Sequence, residues 1–192
     1  MNNIMKDFQR LLVEMLNCSQ GLSLQGKKAS HEISQLLALD VSSDLGEKRA
    51  NPLREELEYV AKHIDELPAD ARRLANAFIE LSDQLPWYQR SAPDFPAFEY
   101  GHANAQFIGP KGILKREDVI VGVTIMRPGL KYPDHHHPPE EIYIVLSEGQ
   151  WRQEDNPWKT PGLGGYVYNP HDILHAMKSA ETPLFAIWCL KP

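Results

Sequence analysis

Cysteine is scarce in this chain: 192 residues contain two, Cys18 and Cys189. They lie too far apart to suggest a thiolate metal site or a disulfide framework, and read as free thiols of a reducing compartment. A Lys/Arg-rich stripe is also missing. The formal charge is −6 with acids and bases interspersed, which argues against nucleic acid as a partner. No apolar run approaches the roughly 20 residues a membrane-spanning helix needs, so no membrane partner is expected. The N-terminal run M-N-N-I-M-K-D-F-Q-R-L-L-V-E-M-L carries charges and lacks a continuous apolar signal core. No internal repeat or low-complexity segment interrupts the chain. These absences leave a cytoplasmic globular protein, long enough for one core burying roughly 70% of its unfolded surface.

The first half has a helical period. Ile4, Phe8, Leu11, Leu12, Met15 and Leu16 form one stripe. Gly21 and Gly26 mark a break, and Ser30 before Ile33, Leu36 and Leu37 suggests the start of a second helix. A polar stretch from Val41 to Ala50 leads to Asn51-Pro52, read as a cap with proline at the first helical position. Leu53, Leu57, Val60, Ile64 and Leu67 make the next stripe. Pro68-Ala69-Asp70 ends it and opens another, through Leu74, Phe78, Leu81 and Leu85. Pro86, Pro93 and Pro96 then punctuate a loop.

Near Gly101 the period changes to short runs rich in Val, Ile, Phe and Tyr between turn residues. The expected strands are Ala103–Ile108, Val119–Met126, Glu141–Leu146, Tyr166–Tyr168, His175–Lys178 and Leu184–Leu190. The expected fold is α+β, mainly β: a small C-terminal antiparallel β-barrel (99–192) with an N-terminal layer of helices (1–98), in a single domain.

One segment concentrates chemistry. In G-L-K-Y-P-D-H-H-H-P-P-E-E-I-Y-I-V-L-S-E-G, the residues His135, His137, Glu141 and Tyr143 share one parity. On a strand and its continuation they would project to one face, with Ile142, Ile144 and Leu146 on the other. His175, in G-G-Y-V-Y-N-P-H-D-I-L-H, offers a third imidazole from a second strand. Imidazole and carboxylate donors without thiolate suit Zn, Fe, Mn, Ni or Cu and do not choose among them. His136 has the wrong parity and is expected to face solvent or stand behind the ligands. His171 reads as a loop residue, and His31, His63 and His102 receive no role.

These spacings resemble the cupin superfamily. Its first motif, G-x5-H-x-H-x3-E-x6-G, is met by Gly129, His135, His137 and Glu141, with Gly149 one residue late. Its second, G-x5-P-x-G-x2-H-x3-N, is met by Gly164, Pro170 and His175; Asp172 stands where glycine is usual and Ser179 where asparagine is usual. Tyr143 lies on the ligand face, and Tyr132 stands just before the histidines at the expected cavity rim. A phenol titrates near roughly 10, and a nearby cation favours its phenolate, a candidate general base.

Across nearly its full length the chain resembles the cupin-type dimethylsulfoniopropionate (DMSP) lyases of marine bacteria, in the form known as DddQ. The H-x-H-P-x-E-E-I-Y run, Tyr132 ahead of it, G-G-Y-V-Y-N-P-H-D-I-L-H and the helical first half carry the resemblance. It implies one divalent transition-metal ion per chain, Zn, Fe or Mn, held by His137, Glu141 and His175. His135 would be a further ligand, and Tyr143 is able to ligate. It implies cleavage of DMSP to dimethyl sulfide and acrylate, by α-proton abstraction (Tyr143 or Tyr132 as base) and β-elimination. The sulfonium would favour aromatic faces, worth roughly 0.5–2 kcal/mol each; Tyr132, Tyr166, Tyr168, Trp151 and Trp188 are the candidates. Competing readings are another metal-dependent cupin enzyme, an oxygenase or isomerase, and a non-catalytic cupin binding a small acid. The helices are assigned either of two roles, shaping the substrate cavity or forming a homo-oligomer interface.

Overall fold

The computed structural model describes residues 3–39 and 48–192. Five α-helices precede the strands: α1 (Asn3–Cys18), α2 (Leu24–Leu37), α3 (Arg54–Lys62), α4 (Ala69–Leu81) and α5 (Pro96–Gly101). Eight strands follow: β1 (His102–Ile108), β2 (Ile120–Met126), β3 (Lys131–His135), β4 (Glu140–Val145), β5 (Gly149–Gln153), β6 (Tyr166–Asn169), β7 (His175–Ser179) and β8 (Leu184–Lys191). They form a five-stranded antiparallel sheet, ordered β1-β2-β8-β4-β6, and a three-stranded one, ordered β3-β7-β5. Among the described residues no helix is long and apolar enough to cross a membrane. Cys18 is exposed, Cys189 is buried, and both are free.

Alternation along the large sheet assigns its two faces. Ala103, Phe107, Val123, Ile142, Ile144 and Ile187 join the apolar core that also takes the buried stripes of α1, α2 and α4. Phe8 meets Phe107 edge to face at 4.7 Å, and Phe78 lies 5.3 Å from Phe185. The opposite face carries Tyr143, Val145, Met126, Ala186 and Trp188, which meet Tyr132, Trp151 and Met177 of the small sheet. The helices cover the outside of the large sheet, and the space between the sheets is left for the polar residues.

Several local readings change. Gly26 is not a break but lies inside α2, where a Cβ would stand 3.0 Å from Cβ of Tyr168. The helix starts earlier, capped by Ser23, whose hydroxyl accepts from the Gly26 amide; Ser30 is buried mid-helix and donates to the Leu16 carbonyl. Asn51 accepts from the amide of Leu53, a turn bond two residues on, and α3 begins only at Arg54. Residues 41–47 of the polar stretch lie outside the described residues. Strand β5 and helix α5 were not anticipated: β5 has a short, mixed pattern, and Pro96 at the start of α5 supplies the fixed φ of a first turn.

The larger correction concerns the chemical segment. His135, His137, Glu141 and Tyr143 do not share one strand or its continuation. β3 ends at His135 in the small sheet, β4 begins at Glu140 in the large one, and His137 lies in the connection. Pro138 and Pro139 lack the amides a ladder needs, so the chain leaves one sheet there and enters the other.

Gly122 faces the inter-sheet space, where an added Cβ would fall 2.2 Å from Trp188 Cη2 and 2.6 Å from the Ala105 carbonyl oxygen. Gly122→Ala should therefore overpack the site wall and lower stability by about 1–3 kcal/mol. Urea unfolding checks this; an unchanged midpoint would mean that Trp188 swings aside freely.

Candidate metal centre

Crossing between the sheets brings the imidazoles together. His135 and His175 are register partners across the β3–β7 ladder, with ring centroids 4.2 Å apart. His137, from the connection, has its ring 5.0 Å from His175. One donor atom from each of the three lies within 4.8 Å of those of the other two. Glu141, at the start of β4, points its Oε2 at them, 3.3 Å from His175 Nε2 and 3.5 Å from His137 Nε2. His175 and Glu141 are buried; His135 and His137 are half-buried.

All three rings are oriented in the same way. Each Nδ1 lies within hydrogen-bond range of a backbone carbonyl two residues away: His135 of Pro133 (2.9 Å), His137 of Pro139 (3.1 Å) and His175 of Ile173 (2.8 Å). With Nδ1–H donating there, the proton is kept off Nε2, whose lone pair is free for a cation. His175 Nε2 is buried without a hydrogen-bond partner. An orphaned imidazole nitrogen beside two others and a carboxylate fits a divalent transition ion.

Electrostatics agree. Burial opposes the charge on Glu141, but contacts with His137 and His175 outweigh it and hold the carboxyl at about 2. Asn169 adds a hydrogen bond from Nδ2 to Glu141 Oε2 at 2.8 Å, and its own Oδ1 accepts from Gln153. Burial, then repulsion from His175, pushes His135 down to about 4, so its ring is neutral at pH 7. Burial works against a charge on His137 too, yet Glu141 prevails and raises its pKa.

The centre opens into a cavity of ≈ 270 Å³ lined among others by Tyr88, Arg90, Tyr132, Tyr143 and Trp188. Burial, then the Glu141 charge, raises the Tyr143 phenol well above its ordinary value. Tyr132 is also raised by burial, against the opposing pull of Arg90, which donates from Nη1 to its hydroxyl at 2.8 Å. The interior wall is tied together by Trp188 Nε1 donating to Thr124 Oγ1 (3.1 Å), which donates to Asn104 Oδ1 (2.5 Å).

Of the aromatic candidates, Tyr132 and Trp188 line this cavity. Trp151 packs inside the barrel, 6.0 Å from Tyr143, without lining it. Tyr166 and Tyr168 belong to the helix side: Tyr166 donates to the Met15 carbonyl and Tyr168 to Glu140. β6 is short and its alternation could be read in either phase, so its sequence did not say which face the tyrosines take. His136 is exposed and bonds Asp172 at 2.7 Å, outside the cluster. Asp172 adopts φ 57°, the left-handed conformation that glycine usually supplies and that aspartate tolerates, so the turn before His175 is kept. Ser179, in the other departing position, donates to the Arg127 carbonyl and accepts from the Leu130 amide.

Tyr88, Arg90, Asn104 and Asn169 carried no recognisable signal. Tyr88 exchanges two backbone hydrogen bonds of 2.8 Å with Asn104, so the proline-punctuated loop runs as an added edge along β1 and carries Arg90 into the cavity. Asn169→Ala leaves Glu141 Oε2 without its side-chain donor, and metal affinity should fall about 10- to 100-fold. A chelator competition measures it; unchanged retention would show that Asn169 only packs.

The barrel and helical layer recur in solved structures. A crystal structure of one of the DMSP lyases RdDddP and RnDddQII superposes with a TM-score of 0.75, at 16% identity over 98% of this chain and 92% of the other. That of the DMSP lyase DddQ from Ruegeria pomeroyi gives 0.67, at 23% identity over 97% and 92%. In sequence, the chain is 35% identical over 81 residues to the Ruegeria pomeroyi DMSP lyase DddQ, 42% of this chain and 40% of that protein. It is 28% identical over 109 residues to a putative DMSP lyase, DddL, of Cereibacter sphaeroides, 56% of this chain and 46% of that one. The matched segments span less than half the length of these curated relatives. The dimethylsulfoniopropionate lyase family model matches residues 26–186, well over half of the chain, and the chain belongs to that family.

Proposed function

We propose that the protein is a metal-dependent carbon–sulfur lyase that cleaves dimethylsulfoniopropionate to dimethyl sulfide and acrylate. The observation that carries this reading is a trio of Nε2-directed imidazoles and a buried carboxylate beside a cavity that Tyr132 and Tyr143 line. Family membership supports the same reading. One divalent transition ion per chain, Zn, Fe or Mn, would be held by His137, Glu141 and His175, with His135 as a further donor and Tyr143 within reach.

When bound, such an ion supplies positive charge that favours a phenolate at Tyr143 and offsets the charge building on the substrate carboxylate as the α-proton leaves. The proton acceptor is Tyr143. It shares the inward face of β4 with Glu141, whereas the Tyr132 oxygen already accepts from Arg90 and is the weaker base for it. The C–H pair becomes the new C=C bond, the C–S bond breaks, and its electron pair leaves on neutral dimethyl sulfide. The proton held on Tyr143 then returns to solvent. Trp188 offers an aromatic face to the sulfonium, whereas the Tyr132 ring has the Arg90 guanidinium 5.6 Å from its centre.

We also take the helical part (1–98) and the barrel (99–192) to be one domain, since one apolar core includes both. The two free thiols support a reducing, cytoplasmic setting.

Given DMSP without air, the purified protein should release dimethyl sulfide and acrylate in equal amounts, and chelation should stop both. Headspace and solution analysis measure this; a metal-loaded sample that releases neither overturns the lyase reading. Tyr143→Phe should retain metal while kcat falls about 100-fold or more, and an unchanged rate removes Tyr143 from the mechanism.

A further inference from the structure

Arg90 stands apart from the charges around it. Arg116, Arg127 and Arg152 pair with Asp118, Glu56 and Asp134. Arg90 lines the same cavity as His135, Glu141 and Tyr143, yet no carboxylate lies within ion-pair distance of it among the described residues. One of its five N–H donors goes to Tyr132, from Nη1, and its guanidinium carbon sits 5.6 Å from the centre of that ring.

The base of this side chain is held firmly. The Arg90 amide donates to Nε2 of buried His102 at 2.9 Å, and His102 Nδ1 lies 2.6 Å from the Phe98 carbonyl. Gln89 donates to the His102 carbonyl at 3.0 Å, and the His102 ring stacks on Phe98 at 3.9 Å. Phe98 in turn meets Tyr132 edge to face at 4.4 Å. A guanidinium fixed at both ends, with donors left over, loses little freedom when it takes a planar anion.

We propose that Arg90 is the substrate-binding residue that recognises the carboxylate of a small zwitterionic substrate. The proposal rests on the lyase reading for its substrate but on Arg90's own geometry for the anion. A carboxylate offers two coplanar oxygens, the match for a guanidinium fork. With that end at Arg90, the cationic end is repelled from the guanidinium and turned toward the aromatic walls. A sulfonium compound without a carboxylate gains nothing from Arg90, so this residue sets specificity for acids.

Propionate is the probe, titrated calorimetrically into the metal-loaded protein, beside steady-state kinetics with DMSP. Arg90→Gln should keep its metal, weaken propionate about 10- to 100-fold and raise KM for DMSP by a similar factor, with kcat changed less. Arg90→Lys should recover part of the affinity. Tyr132→Phe removes the Arg90–Tyr132 bond but keeps the guanidinium, and should lose less propionate affinity than Arg90→Gln. Propionate affinity in Arg90→Gln within about twofold of the parent overturns the proposal. So does an equal loss in Tyr132→Phe, which would mean that Arg90 serves only to place Tyr132. Arg90-dependent propionate binding in a protein that never releases dimethyl sulfide would sink the lyase reading alone.

Discussion

A carboxylate with almost no access to water cannot stay charged without partners, and Glu141 is such a group. Its charge is met on one side by a proton or cation held at His137 and His175 Nε2, and on the other by the Asn169 amide. Those partners come from the β3–β4 connection, from β7 and from β6. Folding the two sheets together is what assembles them. If any one were displaced, the buried charge would be left under-compensated, at a cost of about 3–5 kcal/mol for a broken buried pair.

The helical layer makes this polar interior sustainable. A sheet with one polar inner face needs its apolar side chains buried elsewhere, and α1, α2 and α4 cover them on the outside. The inner face is then free to carry Asn104, Thr124, Glu141 and Tyr143 among apolar neighbours. Backbone carbonyls of β3 and of the segments leading into β4 and β7 aim the three imidazoles. Packing on one side of the sheet and chemistry on the other follow from one alternation.

The same alternation explains what could be read before folding. The strand runs with clear period, β1, β2, β4 and β8, were located to within a residue or so at each end. The helical stripes through Phe8, Ile33, Leu57 and Phe78 lie in the core as expected. Boundaries failed where a signal was ambiguous: Ser30 looked like a cap and is core, while Gly26 looked like a break and admits Tyr168. The tyrosines of β6 failed for a related reason, since four residues do not establish a phase. Arg90 and His102 were invisible because nothing in a proline-spaced loop announces that it will run along a strand edge.

Residue types and short-range spacing determined, without any fold, that two imidazoles, a carboxylate and a phenol would be close, and that His175 was the distant partner. They also determined the α+β class and the order of helices before strands, because hydrophobic period is a local property. Only the tertiary structure decided that these donors converge from two different sheets, with Pro138-Pro139 marking the crossing. It alone decided that Asn169 restrains Glu141 and that Arg90 faces the cavity. Those are contacts between residues 28 and 42 positions apart, and sequence period carries no information about which distant strand will lie opposite.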